Sequence, residues 1–283
     1  MPTTYSPPTQ MTKKIWMFWA QGWDAAPDLV VRCRKSWEKL NPDYEIFALD
    51  DTTISNYVGL TSEVLNDSFP VQMKSDLVRA ALILKHGGVW VDATAMCCRP
   101  LTEWLPDFYE TEFFAFRNPG KDRLLSNWLL ASEPGNPLMK TFYEVYSGFL
   151  NDNAFSNQDN YRGLVYRSIC RKLWNRRVET TVNWLSDFAK NRLKIYPYFI
   201  FHYTFNKVIL ENGESASIFY DAKPFEAEAC HKLQKLSRRR GGLVEALEFL
   251  ANDPPPVHKL NRRRDIQSPY WLGVLDVISP SDN

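Results

Sequence analysis

Lys74-Ser75-Asp76-Leu77-Val78-Arg79, followed by Lys85-His86-Gly87-Gly88-Val89-Trp90-Val91-Asp92, decides how this chain is read. The first piece belongs to an amphipathic helix over Val71 to His86, with Leu77, Ala80, Ala81 and Leu84 at helical spacing. Gly87-Gly88 stop it: one glycine takes a positive φ and the other lets the chain turn sharply. Val89 to Val91 then reads as a short buried strand ending on a lone carboxylate, Asp92. A carboxylate at the end of an apolar strand marks the ligand crevice of an α/β sheet. Asp76 and Arg79 lie three apart and project from one helix face. Two carboxylates beside a guanidinium suit a hydroxyl-rich, phosphorylated ligand.

Outward from that stretch, the apolar run Ile15 to Trp19, stopped by Gly22, is a second buried-strand signal. Pro27 opens a helix carrying Leu29, Val30, Cys33, Trp37 and Leu40, which Asn41-Pro42-Asp43 breaks. Tyr44 to Leu49 is the next strand, so the chain begins with a strand–helix–strand unit of the nucleotide-binding α/β kind. Ala95 to Cys98 and Phe113 to Phe116 are further strand candidates. Pro137 to Leu150, Tyr161 to Arg177 and Phe199 to Leu210 read as helices, and Pro254-Pro255-Pro256 as a stiff turn into Val257 to Leu260. The expectation is an α/β fold with a Rossmann-like mixed sheet and a helical C-terminal elaboration. We expect a flexible segment 1–14, one domain over 15–260, and a basic, aromatic tail over 261–283.

The 283 residues, 45% hydrophobic, supply one large core. A net charge of +1 gives no bulk attraction to nucleic acid. Five cysteines, an odd number with Cys97 and Cys98 adjacent, form neither a disulfide framework nor a zinc spacing, which points to a reduced, cytoplasmic setting. Met1 to Lys14 lacks the apolar stretch of a signal peptide, and no run reaches the length of a membrane span. Arg262-Arg263-Arg264, ahead of Tyr270-Trp271-Leu272, could touch the anionic cytoplasmic leaflet as a peripheral contact. The clusters Arg171-Lys172, Arg176-Arg177 and Arg238-Arg239-Arg240 read as solvated faces.

Trp16 to Gly22, Ser75 to Arg79 and Gly87 to Thr94 resemble the capsular polysaccharide synthesis proteins of bacteria. Ser126-Asn127-Trp128, Tyr198 to Tyr203 and His258-Lys259-Leu260 extend that resemblance over most of the chain. It falls within the wider group of family 32-like sugar transferases, which carry an Asp-X-Asp motif. It implies a GT-A type nucleotide-sugar-binding fold and a glycosyltransferase of the hexosyltransferase type. The implied donor is a nucleotide sugar, with a UDP-sugar expected. The implied acceptor is a hydroxyl of a glycan or lipid-linked glycan in capsular or surface polysaccharide synthesis, with retention of configuration.

In that pattern Asp92 matches the first acid, and Thr94 stands where the second would be. The resemblance implies Asp92 at the donor ribose and at a divalent cation, Mn²⁺ or Mg²⁺. His258 would return to that cation as a further metal ligand, and Lys259 would reach the pyrophosphate. With an uncharged Thr94, the alternative is a site that does without the cation. Asp76 and Arg79 would orient the donor sugar, which makes Asp76, Arg79 and Asp92 the catalytic expectation. Trp19 resembles the aromatic residue that stacks on the donor base, while Gln21 and Gly22 allow close backbone approach. Asp50 or Asp51 reaches the nucleotide or caps a helix. Asn127, Trp128 and His202 are expected on the acceptor side, with Asp159 and Tyr203 as further candidates, although Phe201 and Tyr203 also read as core. Two rival readings share the motifs: an effector-type transferase that modifies a protein, and a catalytically silent nucleotide-sugar-binding protein, suggested by Thr94. A two-metal phosphate hydrolase would need a cluster of acids and histidines that the chain lacks.

Overall fold

The computed structural model describes residues 11–59, 70–151, 161–252, 254–261 and 267–278. Its centre is a five-stranded sheet built from β1 (Lys14–Phe18), β2 (Glu45–Leu49), β3 (Gly88–Val91), β5 (Phe113–Gly120) and β6 (Arg123–Ser132), in the order β2-β1-β3-β6-β5. β1 pairs parallel with β2 and β3, whereas β6 runs antiparallel to β3 and β5. The sheet is thus mixed, as expected. β6 is the addition: Leu124 to Ser132 contains an apolar run, which the polar Ser126-Asn127 pair interrupts.

The strands are apolar on both faces because helices cover both. Trp16, Phe18 and Trp90 point to one side, where they meet α2 (Val71–His86), α3 (Pro137–Asn151) and α5 (Ile200–Glu211). Ile15, Met17, Val89 and Val91 point to the other, against Trp37 of α1 (Asp28–Leu40) and the turns around Leu101 and Leu105. This period-two division is the pleat of the strand. Both glycines at the α2–β3 junction are required by space. Gly87 has φ +64° and a Cβ there would lie 2.5 Å from the Pro134 ring; Gly88 has φ +91° and a Cβ would lie 2.5 Å from the Lys14 carbonyl oxygen.

A second, two-stranded sheet joins β4 (Ala95–Cys97) to β7 (Val257–Lys259). The segment after the three prolines is therefore a strand. α4 (Tyr161–Trp174), α6 (Gly213–Asp221), α7 (Lys232–Leu236), α8 (Gly242–Asn252) and α9 (Pro269–Ile278) make the second half largely helical. The expected tail is corrected in part: Trp271, Val274 and Leu275 of α9 are buried against Leu233, Leu236 and Ala246, so this helix completes a core. Trp271 is not available to a lipid surface, and the Tyr270 hydroxyl donates to the Leu233 carbonyl at 2.6 Å. Arg262-Arg263-Arg264 and Asp159 lie outside the described residues. At the other end, Thr12 is tied to Glu133 through its N–H (2.9 Å) and hydroxyl (2.6 Å), which places it within the folded body. All five cysteines are free thiols, and burial pushes Cys33 and Cys97 up to about 12.

Candidate active site

β1 and β3 are parallel neighbours, so their carboxyl ends open on the same side. Trp19, Ala20 and Gln21 follow β1, and Asp92, Ala93 and Thr94 follow β3. Both segments line one cleft of about 740 Å³. Ser75, Asp76 and Arg79 of α2, Ser126 to Trp128 of β6, and Lys259 of β7 line it as well. This is the crevice position that the sheet order dictates.

Asp92 is fixed before any ligand arrives. Its N–H donates to the Trp128 carbonyl at 2.8 Å, and its carbonyl accepts from Ala95 at 2.9 Å in the turn toward β4. Its Oδ1 accepts from Trp90 Nε1 at 3.1 Å and lies 3.3 Å from Arg79 Nη1. Its Oδ2 lies 2.9 Å from Lys259 Nζ, which also donates to the Thr94 hydroxyl at 2.6 Å. Arg79 Nη2 lies 3.1 Å from Asp76 Oδ1, and the guanidinium also donates to the Asn127 carbonyl. Its face stacks over Trp90 at 5.0 Å. Asn127, expected on the acceptor side, donates its amide to Asp76 Oδ1 at 2.9 Å and so holds that carboxylate.

The two carboxylates are driven apart. Burial pushes Asp76 up to about 7, with Arg79 opposing, Asp92 reinforcing and the Asn127 bond opposing. Burial also disfavours the charged form of Asp92, but Lys259 and Arg79, with the bonds from Lys259 and Trp90, outweigh it and leave its carboxyl below the usual range. Near neutral pH, Asp92 is a fixed anion and Asp76 can both donate to and accept from a hydroxyl. His202 lines the cleft at 7% exposure. Burial, then Arg123 and Arg79, hold it well below the usual histidine range, with Asp92 opposing. Its Nδ1 is buried without a hydrogen-bond partner among the described residues.

Trp19 and Gln21 line the cleft, whereas Gly22 serves the chain turn, at φ +86°, outside the lining. Trp16 is core, donating from Nε1 to the Gly87 carbonyl at 2.8 Å. Trp128 touches the cleft but is mainly core, stacked on Phe116 at 4.8 Å. Tyr203 is core too, its hydroxyl donating to Asp122 at 2.6 Å. Asp50 accepts from the Thr52 and Thr53 N–H groups at 2.9 and 3.0 Å and shapes a turn, while Asp51 pairs with Lys74 at 2.8 Å; neither lines the cleft.

His258 is corrected. Its register partner is Met96, it is 0% exposed, and its ring faces Phe249 at 6.1 Å. Successive strand residues point to opposite faces, so Lys259 in the cleft puts His258 on the other side. Burial pushes its imidazole down to about 4. The expected pairing of Asp92 with His258 around a metal is not assembled. Among the described residues no group of three or more His, Cys, Asp or Glu is placed to hold a metal ion. The donor set does not fit a divalent cation either. One carboxylate and one neutral hydroxyl face it, and Arg79 and Lys259 already balance the charge.

The structure adds lining residues that no motif announced: Arg123, stacked over Phe199 at 4.0 Å and 3.2 Å from Asp122, and His231 and Gln234 ahead of and within α7. Arg123 follows the two-residue Lys121-Asp122 turn that joins β5 to β6, and the turn after an apolar strand was the available signal.

An α/β domain with a polar cleft at the carboxyl ends of parallel strands, where Arg79 and Lys259 pair with Asp76 and Asp92, is a ligand-binding enzyme scaffold in form. The chain belongs to the capsular polysaccharide synthesis protein family, whose model matches residues 3–268. Over 160 residues it is 26% identical to the O-glycosyltransferase braB of Annulohypoxylon truncatum, covering 49% of this chain and 38% of that protein. Over 165 residues it is 28% identical to the glycosyltransferase afumC of Aspergillus fumigatus, covering 50% of this chain and 42% of that one. The chain thus spans less than half the length of these two relatives. The UDP-bound glycosyltransferase domain from the YGT toxin is a remote structural likeness, with a TM-score of 0.41 at 9% identity over 84% of this chain and 89% of that one.

Proposed function

We propose that the protein is a glycosyltransferase that moves a sugar from a UDP-sugar to a hydroxyl of a glycan. The observation that carries this reading is the preformed network of Asp76, Arg79, Asp92 and Lys259 at the strand ends, with Trp19 beside it. Membership of the capsular polysaccharide synthesis family and the glycosyltransferase relatives support it. A cleft of about 740 Å³ lies in the range of cofactor-sized sites.

In this reading the uracil lies on the Trp19 ring, and Asp92 fixes the donor at its ribose. Asp76 and Arg79 hold the sugar hydroxyls, with His202 lining the cleft beside them. The bond from the anomeric carbon to the diphosphate oxygen breaks while the bond to the acceptor oxygen forms. The acceptor proton passes to an oxygen of the departing diphosphate, and the remaining negative charge of that leaving group is met by Lys259 and Arg79. Asp92→Ala is expected to abolish transfer of radiolabelled sugar from a UDP-sugar donor to a glycan acceptor; full transfer by that variant would eliminate the assignment.

The acceptor is inferred to be lipid-linked and the protein to meet the cytoplasmic leaflet from outside it. Among the described residues no helix is long and apolar enough to cross a membrane. α4 exposes Leu164, Tyr166, Ile169 and Leu173 with Arg171 and Lys172 among them, a basic and apolar surface suited to anionic lipid. Trp271 of the C-terminal segment is buried and takes no part in such a surface.

A further inference from the structure

Lys259 stands between Asp92 and Thr94, the two residues that the resemblance sets at the acid positions of the motif. Its Nζ bridges Asp92 Oδ2 at 2.9 Å and Thr94 Oγ1 at 2.6 Å, the first and second acid positions of the motif. The lysine is built into that place. Its residue partner in the β4–β7 ladder is Ala95. The next residue, Leu260, donates its N–H to the Thr94 carbonyl at 2.8 Å. The Lys259 carbonyl accepts from Gln234 Nε2 at 2.6 Å, and the side chain is 17% exposed. Backbone and side chain are thus held from both directions, unlike a lysine on a free surface.

Charge balance accounts for Thr94. An ammonium carries one charge, and one carboxylate, Asp92, offsets it. A second carboxylate at position 94 would leave the pair anionic, which opposes a diphosphate; a hydroxyl accepts a hydrogen bond from the ammonium without adding charge. Arg79 meets the other acid, Asp76, at 3.1 Å. Of the three Lys259 N–H groups, Asp92 and Thr94 take two, and the third is left to the cleft that the residue lines.

We propose that the Lys259 ammonium is the built-in cation for the diphosphate of the donor, so that nucleotide diphosphate binding needs no divalent metal. This rests on the reading that the cleft takes a nucleotide diphosphate, and goes beyond it by replacing the metal ion with a residue of the chain. His258, the other candidate ligand, faces away from the cleft.

Calorimetric titration of the whole protein with UDP tests it. The wild type is expected to bind UDP in EDTA and in Mn²⁺ with dissociation constants within about twofold, a difference of roughly 0.4 kcal/mol. Lys259→Met is expected to weaken UDP by about tenfold or more in EDTA, as for the loss of one charge-assisted hydrogen bond, with a native circular dichroism spectrum as the folding control. Wild-type binding that appears only with Mn²⁺ overturns the proposal while leaving the transferase reading intact. Absence of UDP binding in both buffers overturns the nucleotide reading and the proposal with it.

Discussion

Replacing Arg79 with Met puts the buried charge cluster to a direct test. Arg79 is 5% exposed in its side chain and faces two carboxylates, Asp76 at 3.1 Å, itself 10% exposed, and Asp92 at 3.3 Å. Met keeps most of the volume over Trp90 but leaves the acids without that partner. Breaking a buried ion pair on one side costs about 3–5 kcal/mol. With an unfolding entropy of about 2.1 cal/mol/K per residue, the 283-residue chain loses about 0.6 kcal/mol for each degree, so Tm falls by roughly 5–8 °C. The sign with pH follows from Asp76. Its folded pKa, about 7, lies above the unfolded value, so its contribution to stability is full below the unfolded pKa and is lost as pH rises through about 7. Removing Arg79, which lowers that pKa, carries the loss to higher pH. The Asp76 share of the deficit of Arg79→Met is therefore small at about pH 5 and grows as pH rises through about 7, while the Asp92 share is present at both. Adding Asp76→Asn removes one stranded acid and restores part of the Tm, and it flattens the profile between about pH 4 and 7. Scanning fluorimetry across pH reads all of this. A shift below about 2 °C, or one independent of pH, would refute the reasoning.

His258→Leu is expected to leave UDP affinity by calorimetry unchanged within about twofold, because the ring lies opposite Lys259; a loss of tenfold or more would return His258 to the site. Ile169→Glu with Leu173→Glu is expected to abolish co-sedimentation with phosphatidylserine vesicles while leaving thermal stability near wild type, since both side chains are exposed. Undiminished sedimentation would remove α4 as the lipid surface.

Much of the site was legible because its residues sit in local patterns. The glycine stop, the strand ending on Asp92, and the three-residue spacing of Asp76 and Arg79 place three side chains in one crevice once the strands are parallel. Helix α2 spans Val71–His86, as its periodicity and Gly87 require. What escaped depended on partners distant in sequence. β6 is a central strand only because β3 and β5 flank it, and Arg123 enters the cleft through that pairing. His258 and Lys259 were both assigned to the site, yet strand alternation allows only one of two neighbours to face it. Val257-His258-Lys259 reads as the segment that a stiff proline turn leads into, and its pairing with Ala95 to Cys97 is invisible locally. The exposed apolar residues of α4 read as helix face, and only the packed structure leaves them outside a core.

The most direct measurement is the structure of a UDP complex. The account predicts uracil on the Trp19 ring and diphosphate oxygens within about 3 Å of Lys259 Nζ, with Asp92 between ribose and ammonium. UDP bound away from this cleft, or with its diphosphate remote from Lys259 and Arg79, would contradict it.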